Sequence, residues 1–189
     1  MKTIQTKLET AALFSDDGTR RYLLKKFWDG KKQSMTIIML APAEASGIAL
    51  DSTTLLVLNN AARLGYGSVG FVNLFSLLND TALNHAEADD PANLNIILEE
   101  VKRSDTVVYA PGVGKTMNPV FQKRAAQVLE ILKPYEDKLH CIVSKDGISR
   151  FVHPLTPNVR QWVLEKTTVA ACLKAAPKNA AAQKTASPQ

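Results

Sequence analysis

Four short, mainly apolar runs separated by segments of helical spacing constrain the fold of this 189-residue chain more than any other feature. Runs of this length without polar interruption are typical of strands that are covered on both faces. The predicted strands are residues 36–40, 69–75, 105–109 and 139–143, and the predicted helices are residues 52–64, 93–103 and 120–132. This alternation predicts an α/β fold of three layers, in which helices flank a mostly parallel central sheet.

Two further strand-compatible runs precede this alternation. KLETAALF and RYLLKKFW flank the turn SDDGTR, and an Asp-Gly turn between such runs predicts an N-terminal β-hairpin, which we expect at one edge of the sheet. Residues 1–174 are expected to form a single domain, because this length suffices for an ordinary core. Residues 175–189, AAPKNAAAQKTASPQ, offer no aromatic or branched aliphatic side chain and predict a disordered basic tail.

Composition narrows the chemical context of the chain. No apolar run approaches the roughly 20 residues needed to cross a bilayer, and MKTIQTKLET lacks a secretory signal, so we expect a cytoplasmic location without membrane contact. Cys141 and Cys172 form no CxxC pair, so we predict neither a metal site nor a cofactor. The net charge is +5, but Lys174, Lys178 and Lys184 supply three of these charges. Affinity for a polyanion such as nucleic acid is therefore expected mainly from the tail and the lysine that precedes it.

The stretch VVYAPGVGKT resembles a nucleotide-binding loop of the type GxxxxGKT. Such a loop needs glycine first because the chain turns tightly out of a strand, and Tyr109 occupies that place. Pro111 removes one of the N–H donors that would contact phosphate. We therefore predict an anion-contacting turn rather than a nucleoside triphosphatase, with ligand contacts from Gly112, Gly114 and Lys115 and the following helix N-terminus.

Polar residues fall where the predicted strands end, which is where ligands bind in parallel α/β sheets. Pro42 ends the first of these strands, and the loop after it carries Glu44 and Asp51. Asn73 lies within an apolar strand, and His153 precedes a proline beyond the last predicted strand. These groups suit recognition of a base-like heterocycle and its hydrolytic release, with Asp51 and His153 as catalytic residues and the other three as ligand contacts.

Each of the three central residues also has a structural interpretation. Asp51 precedes Ser-Thr-Thr and is a favourable helix N-cap. Asn73 could satisfy the backbone of a neighbouring loop, since a buried amide needs partners. His153 could be a turn histidine whose ring bonds a backbone carbonyl. The same three groups also suit binding of a small molecule without catalysis.

Three longer stretches carry a family resemblance. MLAPAEASGIALDSTT, GYGSVGFVNLFSLLND and GISRFVHPLTPNVRQW resemble a bacterial and phage family of domains of unknown function with LNPSxAD, NLF and HPLY motifs. The layout of that family is similar to that of uracil-DNA glycosylases. The resemblance implies a uracil-DNA glycosylase-like fold in which Asp51 orients water, Asn73 reads a base and His153 stabilises negative charge.

The sequence departs from these motifs at three positions. Ala41 and Ala43 replace the Asn and Ser of the first motif, and Thr156 replaces the final Tyr of the last. The resemblance implies a cleft for a nucleobase, nucleotide or nucleic acid in a glycosylase-like hydrolase. If the replaced groups carry the chemistry of the family, the alternative is a non-catalytic binding module with a vestigial cleft.

Overall fold

The computed structural model describes residues 1–43, 47–78, 90–112, 119–145, 147, 149–156 and 160–175. In this part of the chain, seven strands form one sheet and four α-helices pack on it. The strands are β1 Glu9–Phe14, β2 Arg21–Phe27, β3 Ser34–Met39, β4 Ser68–Asn73, β5 Thr106–Tyr109, β6 Leu139–Val143 and β7 Val163–Lys166. The α-helices are α1 Ser52–Arg63, α2 Pro91–Arg103, α3 Pro119–Leu132 and α4 Val169–Ala175, and a 3-10 helix, Lys133–Lys138, follows α3.

The strand order across the sheet is β1-β2-β4-β3-β5-β6-β7. The four central strands run parallel, whereas β1 and β2 at one edge and β7 at the other pair antiparallel. The predicted N-terminal hairpin is therefore present at an edge, but the prediction of a mostly parallel sheet is wrong because the sheet is mixed. The sequence interpretation ended the sheet at β6 and missed β7, which returns beside it.

Helices cover both faces of the sheet, as alternation along β3 shows. Ile37 packs with Val57 of α1, whereas Ile38 packs in a second core with Ile97 of α2 and Val128 of α3. We call these two sides the α1 face and the α2 face. The observed layers agree with the predicted three-layer α/β arrangement.

The chain ends differ from the sequence interpretation in one respect. Helix α4 ends at Ala175 and thus extends one residue into the predicted tail, while residues 176–189 lie outside the described residues. Among the helices in the described ranges, none combines the length and the apolar character that crossing a membrane requires.

The carboxyl ends of the central strands meet at one edge of the sheet. Met39, at the end of β3, pairs with Asn73 at the end of β4, and the Ala110 N–H after β5 bonds the carbonyl oxygen of Ile38 at 2.9 Å. Because β2 runs antiparallel to β4, the first residue of β2 lies at the same edge. There the backbone N–H of Arg21 donates to the carbonyl oxygen of Ser76 at 2.9 Å. This edge therefore brings residues of β2, β3, β4 and the segment after β5 close together.

Candidate functional site

Four polar residues from separate elements lie at this edge, on the α1 face. The charge of Asp51, which precedes α1, acts on both Arg21 of β2 and His153 of the β6–β7 connection. Asn73 follows Val69 and Phe71, which pack on the α1 face, so alternation directs its side chain to that face as well. We call Arg21, Asp51, Asn73 and His153 the cleft cluster.

Asn73 is the unusual member of the cleft cluster. Its residue is 0% exposed, and neither its Nδ2 nor its Oδ1 atom has a hydrogen-bond partner among the described residues. Buried amides are nearly always partnered, because each unsatisfied group costs about 1–3 kcal/mol. The nearby backbone is instead satisfied by Asn93, whose Nδ2 donates to the carbonyl oxygens of Asn73 and Leu74 at 3.0 and 3.2 Å. Within the described ranges, no loop backbone therefore receives the contact that was one of the predicted roles of the Asn73 amide.

His153 is held in one tautomer by the backbone. The N–H of Leu155 donates to its Nδ1 at 3.2 Å, so in the neutral ring the proton is on Nε2. Burial lowers the pKa of His153, and the charge of Asp51 opposes that shift. The ring is therefore neutral near pH 7 and has an Nε2–H to donate. The described contact of the ring is with an amide N–H and not with the backbone carbonyl that was one of its possible partners.

Two unusual backbone conformations hold His153 in place. Gly112 has a φ of +80°, and a Cβ built on it would lie 3.1 Å from the Cβ of His153. Phe151, two residues before His153, has a φ of 56°, which is uncommon for a residue with a side chain and stores strain. Gly112 was predicted to contact an anion, and the structure places it directly against the histidine.

Asp51 and Arg21 each make a backbone contact near one end of the connection between β3 and α1. The Oδ1 of Asp51 accepts the Thr54 N–H at 2.6 Å, so its predicted capping role is present. Arg21 is buried and donates through Nη1 to the carbonyl oxygen of Ala43 at 3.0 Å. Burial lowers the pKa of Arg21, and the charge of Asp51 opposes that shift. Pro42 is buried at the start of the same loop.

Sequence reasoning missed Arg21 because a basic residue in a strand usually faces solvent. The pairing of β2 with β4, which brings Arg21 to this edge, is a long-range property of the sheet and leaves no signal in the sequence. Three predicted ligand contacts, Glu44, Gly114 and Lys115, lie outside the described residues and stay predictions. Within the described ranges, no group of three or more His, Cys, Asp or Glu side chains is arranged to hold a metal ion.

Comparison with known proteins gives one match. The family model described as "Protein of unknown function (DUF1643)" matches residues 21–155, more than half of the chain, and all four residues of the cleft cluster lie inside the match. No curated protein and no solved structure matches the chain.

Proposed function

The chain belongs to the DUF1643 family of proteins of unknown function, and from the cleft cluster we propose that it binds a nucleobase and hydrolyses its N-glycosidic bond. The nucleobase is part of a nucleotide or of nucleic acid. The observation that supports this proposal is the fully buried Asn73 amide, whose donor and acceptor have no partner in the described part of the chain. The lactam edge of a base such as uracil offers a matching N–H donor and carbonyl acceptor.

His153 supplies the second contact of the proposed reaction. Its Nε2–H donates to a carbonyl oxygen of the base, where negative charge develops as the glycosidic bond breaks. The Leu155 N–H on Nδ1 supports this role, because it fixes the tautomer that has a proton on Nε2. A neutral donor also suits the half-buried position of the ring, since a charged imidazole is disfavoured by burial.

Asp51 supplies the third contact. Its Oδ1 is bonded to Thr54, so Oδ2 is the atom that orients a water molecule. The water oxygen bonds the anomeric carbon as the bond from that carbon to the base nitrogen breaks. Asp51 accepts one water proton and passes it to solvent, and the base anion takes up a proton. The products are the free base and the sugar hydroxyl.

The architecture agrees with this proposal at a coarse level. Helices cover both faces of the sheet, and the cleft cluster lies where the parallel strands end, which is the common ligand position in α/β proteins. A uracil-DNA glycosylase-like fold is part of the proposal and rests on the order of the motifs. Although the sheet of this protein is mixed, its four central strands run parallel.

The test is release of base from defined substrates. The purified chain is incubated with nucleotides and with single- and double-stranded oligonucleotides that carry uracil or another modified base, and released base is measured by chromatography. We expect the His153→Gln variant to release base about 10²-fold more slowly or worse. The matched control is His140→Gln, because His140 lies near the start of β6, at the end of the strand away from the cleft cluster. The Nδ1 of His140 lies 2.8 Å from the Lys138 carbonyl oxygen.

A second function is favoured by the loop after β3. Ala41 and Ala43 bring no polar side chain to the edge where the cleft cluster lies, which suits a binding module that has lost catalysis. This second function would be established if the wild type binds one of these nucleotides or oligonucleotides without releasing its base, and Asn73→Leu abolishes that binding. Binding that is unchanged in both Asn73→Leu and His153→Gln would contradict both functions.

A further inference from the structure

The turn that follows β5 belongs to the stretch VVYAPGVGKT, which the proposed reaction does not use. The Ala110 N–H fixes the start of this turn by donating to the carbonyl oxygen of Ile38 at 2.9 Å. Pro111 is buried, and its ring restricts the backbone. Gly112 then turns the chain with a φ of +80°. The sheet therefore sets the position of Gly112 through two constrained residues.

Gly112 packs directly against His153. A Cβ built on Gly112 would lie 3.1 Å from the Cβ of His153 and 3.7 Å from its Cγ and Cδ2 atoms. The shortest of these distances is below the optimal carbon–carbon separation of about 3.5–4.0 Å. A side chain at this position would therefore push the histidine away, so the observed place of His153 depends on the small size of glycine as well as on its positive φ.

The ring of His153 is held on two sides. Cγ and Cδ2 are the ring atoms nearest to Gly112, and Nδ1 accepts the Leu155 N–H at 3.2 Å. Half a turn of the ring would exchange Nδ1 with Cδ2 and leave the Leu155 N–H facing a carbon atom. The two contacts together therefore fix the direction in which Nε2–H donates.

The backbone around His153 is anchored on both faces of the sheet. Phe151 packs against the core of the α2 face, whereas Val152 is buried in the core of the α1 face. The change from one face to the other is made where Phe151 has a φ of 56°. After the histidine, the Thr156 N–H donates to the His153 carbonyl oxygen at 2.9 Å. We therefore expect a push from residue 112 to move the side chain of His153 rather than its backbone.

We propose that Gly112 is a positioning residue for His153 and that the turn after β5 serves the cleft in this way. The inference rests on the proposed function, in which Nε2–H donates to the base. Such a donor stabilises the reaction only when it is aimed at the oxygen where charge develops. Misplacement by about 1 Å can cost about 10²-fold in rate. The stretch that resembles a nucleotide-binding loop thus has a role that requires no phosphate.

Steady-state base release tests this role. We expect Gly112→Ala to lower kcat about tenfold, as a displacement of less than about 1 Å predicts, and to leave KM unchanged because Asn73 still contacts the base. The matched control is Gly147→Ala in the β6–β7 connection, which should keep the kcat of the wild type. Gly147 has a φ of +74°, but no described atom lies within 4 Å of a Cβ built on it. Both variants therefore strain the backbone, and only Gly112→Ala presses on His153.

A second measurement does not depend on base release. Nitrogen NMR of isotope-labelled histidine at about pH 7.5, where an ordinary histidine is mostly neutral, reports which ring nitrogen has the proton, and His153→Gln assigns the signal by its loss. We expect the Nε2–H form in the wild type and in Gly147→Ala, and a larger share of the Nδ1–H form in Gly112→Ala. Gly112→Asn has the same Cβ, and asparagine adopts positive φ more readily, so it provides the test if the alanine variant fails to fold.

The outcomes separate the positioning role from the proposed function. A kcat that is unchanged in Gly112→Ala, or lowered equally in Gly147→Ala, overturns the positioning role. An unchanged ring proton in both variants of Gly112 does so as well. If His153→Gln still slows base release in those cases, the proposed function stands alone. A changed ring proton in Gly112→Ala, in a chain that releases no base from any substrate, supports the positioning of His153 and contradicts the proposed function.

Discussion

Two polar clusters on opposite faces of the same sheet edge share three residue types, yet the hydrogen-bond partners of those residues differ. We call the second one the bracket cluster; it lies on the α2 face and consists of Arg20, Ser76, Asp90, Asn93 and Arg124. Each cluster has an arginine at the start of the second hairpin strand, an aspartate that caps a helix and a fully buried asparagine.

The bracket cluster directs its hydrogen bonds inward. The Nη1 of Arg20 lies 3.0 Å from Ser76 Oγ and 3.5 Å from Asp90 Oδ2, and Arg124 donates to the Leu74 and Asp90 carbonyl oxygens at 2.7 and 3.3 Å. In the cleft cluster the amide of Asn73 has no such partner within the described ranges. The comparison indicates that the bracket cluster holds α2 and α3 on the sheet, with Asn93 Oδ1 as its buried atom without a described partner. In the cleft cluster both side-chain polar atoms of Asn73 lack a described partner, which is the basis of the proposed ligand contact.

Replacing Arg124 tests the structural role of the bracket cluster most strongly. Arg124→Met leaves the buried carbonyl oxygens of Leu74 and Asp90 with fewer donors, so we expect the free energy of unfolding to fall by about 3 kcal/mol. Urea denaturation measures the change. Lys123→Met is the control on the same helix, since Lys123 is exposed. Equal losses of unfolding free energy in Arg124→Met and Lys123→Met would contradict a structural role for Arg124.

The two buried asparagines offer a sharper contrast. Asn93→Leu removes donors to two carbonyl oxygens and should lower the free energy of unfolding by about 2 kcal/mol. Asn73→Leu removes two unpartnered polar atoms and should raise it by about 1 kcal/mol. Denaturation curves of both variants, beside base binding by Asn73→Leu, give the comparison. A loss of stability in Asn73→Leu would show that its amide supports the fold.

Sequence alone predicted the local elements of this fold well and their pairing less well. Apolar periodicity predicted residues 139–143 as a strand, which is β6, and residues 52–64 as a helix, which is α1 with one residue fewer. It missed β7, because VLEK is short and partly exposed and becomes a strand only by pairing with β6. Strand direction depends on such long-range pairing, which is why the mixed sheet was not predicted.

The candidate site shows the same limit. Asp51, Asn73 and His153 could be selected because polar residues at the ends of apolar strands stand out in a sequence. Arg21 could not, since basic residues in strands usually face solvent and its burial is a property of packing. The absence of described partners for Asn73 is likewise a property of packing, which periodicity does not report.

The aspartate cap of the cleft cluster, Asp51, provides a smaller test. Asp51→Ala removes the acceptor for the Thr54 N–H and should lower the free energy of unfolding by about 1 kcal/mol. Asp51→Ser restores a capping oxygen without the charge that acts on Arg21 and His153. We expect Asp51→Ser to regain most of the stability and none of the base release. Recovered release in Asp51→Ser would contradict a role for the carboxylate in orienting water.

The smallest expected effect is the pH dependence that His153 adds to stability. Burial lowers its pKa in the folded protein below the ordinary value of 6.5. Between the folded pKa and 6.5, the unfolded chain binds a proton that the folded protein does not, so this contribution to stability is lost as pH falls through that window. Protonation would also turn Nδ1 into a donor and break its bond from Leu155.

Denaturation curves at about pH 7.5 and about pH 5.5 measure this contribution, since they bracket the ordinary histidine range. We expect the wild type and His140→Gln to lose more stability on acidification than His153→Gln does. Carboxylates titrate in all three proteins, so the difference isolates His153. An equal loss in His153→Gln would mean that the ring is no harder to protonate in the folded protein than in the unfolded chain. The neutral donor that the proposed reaction requires would then lose its physical basis.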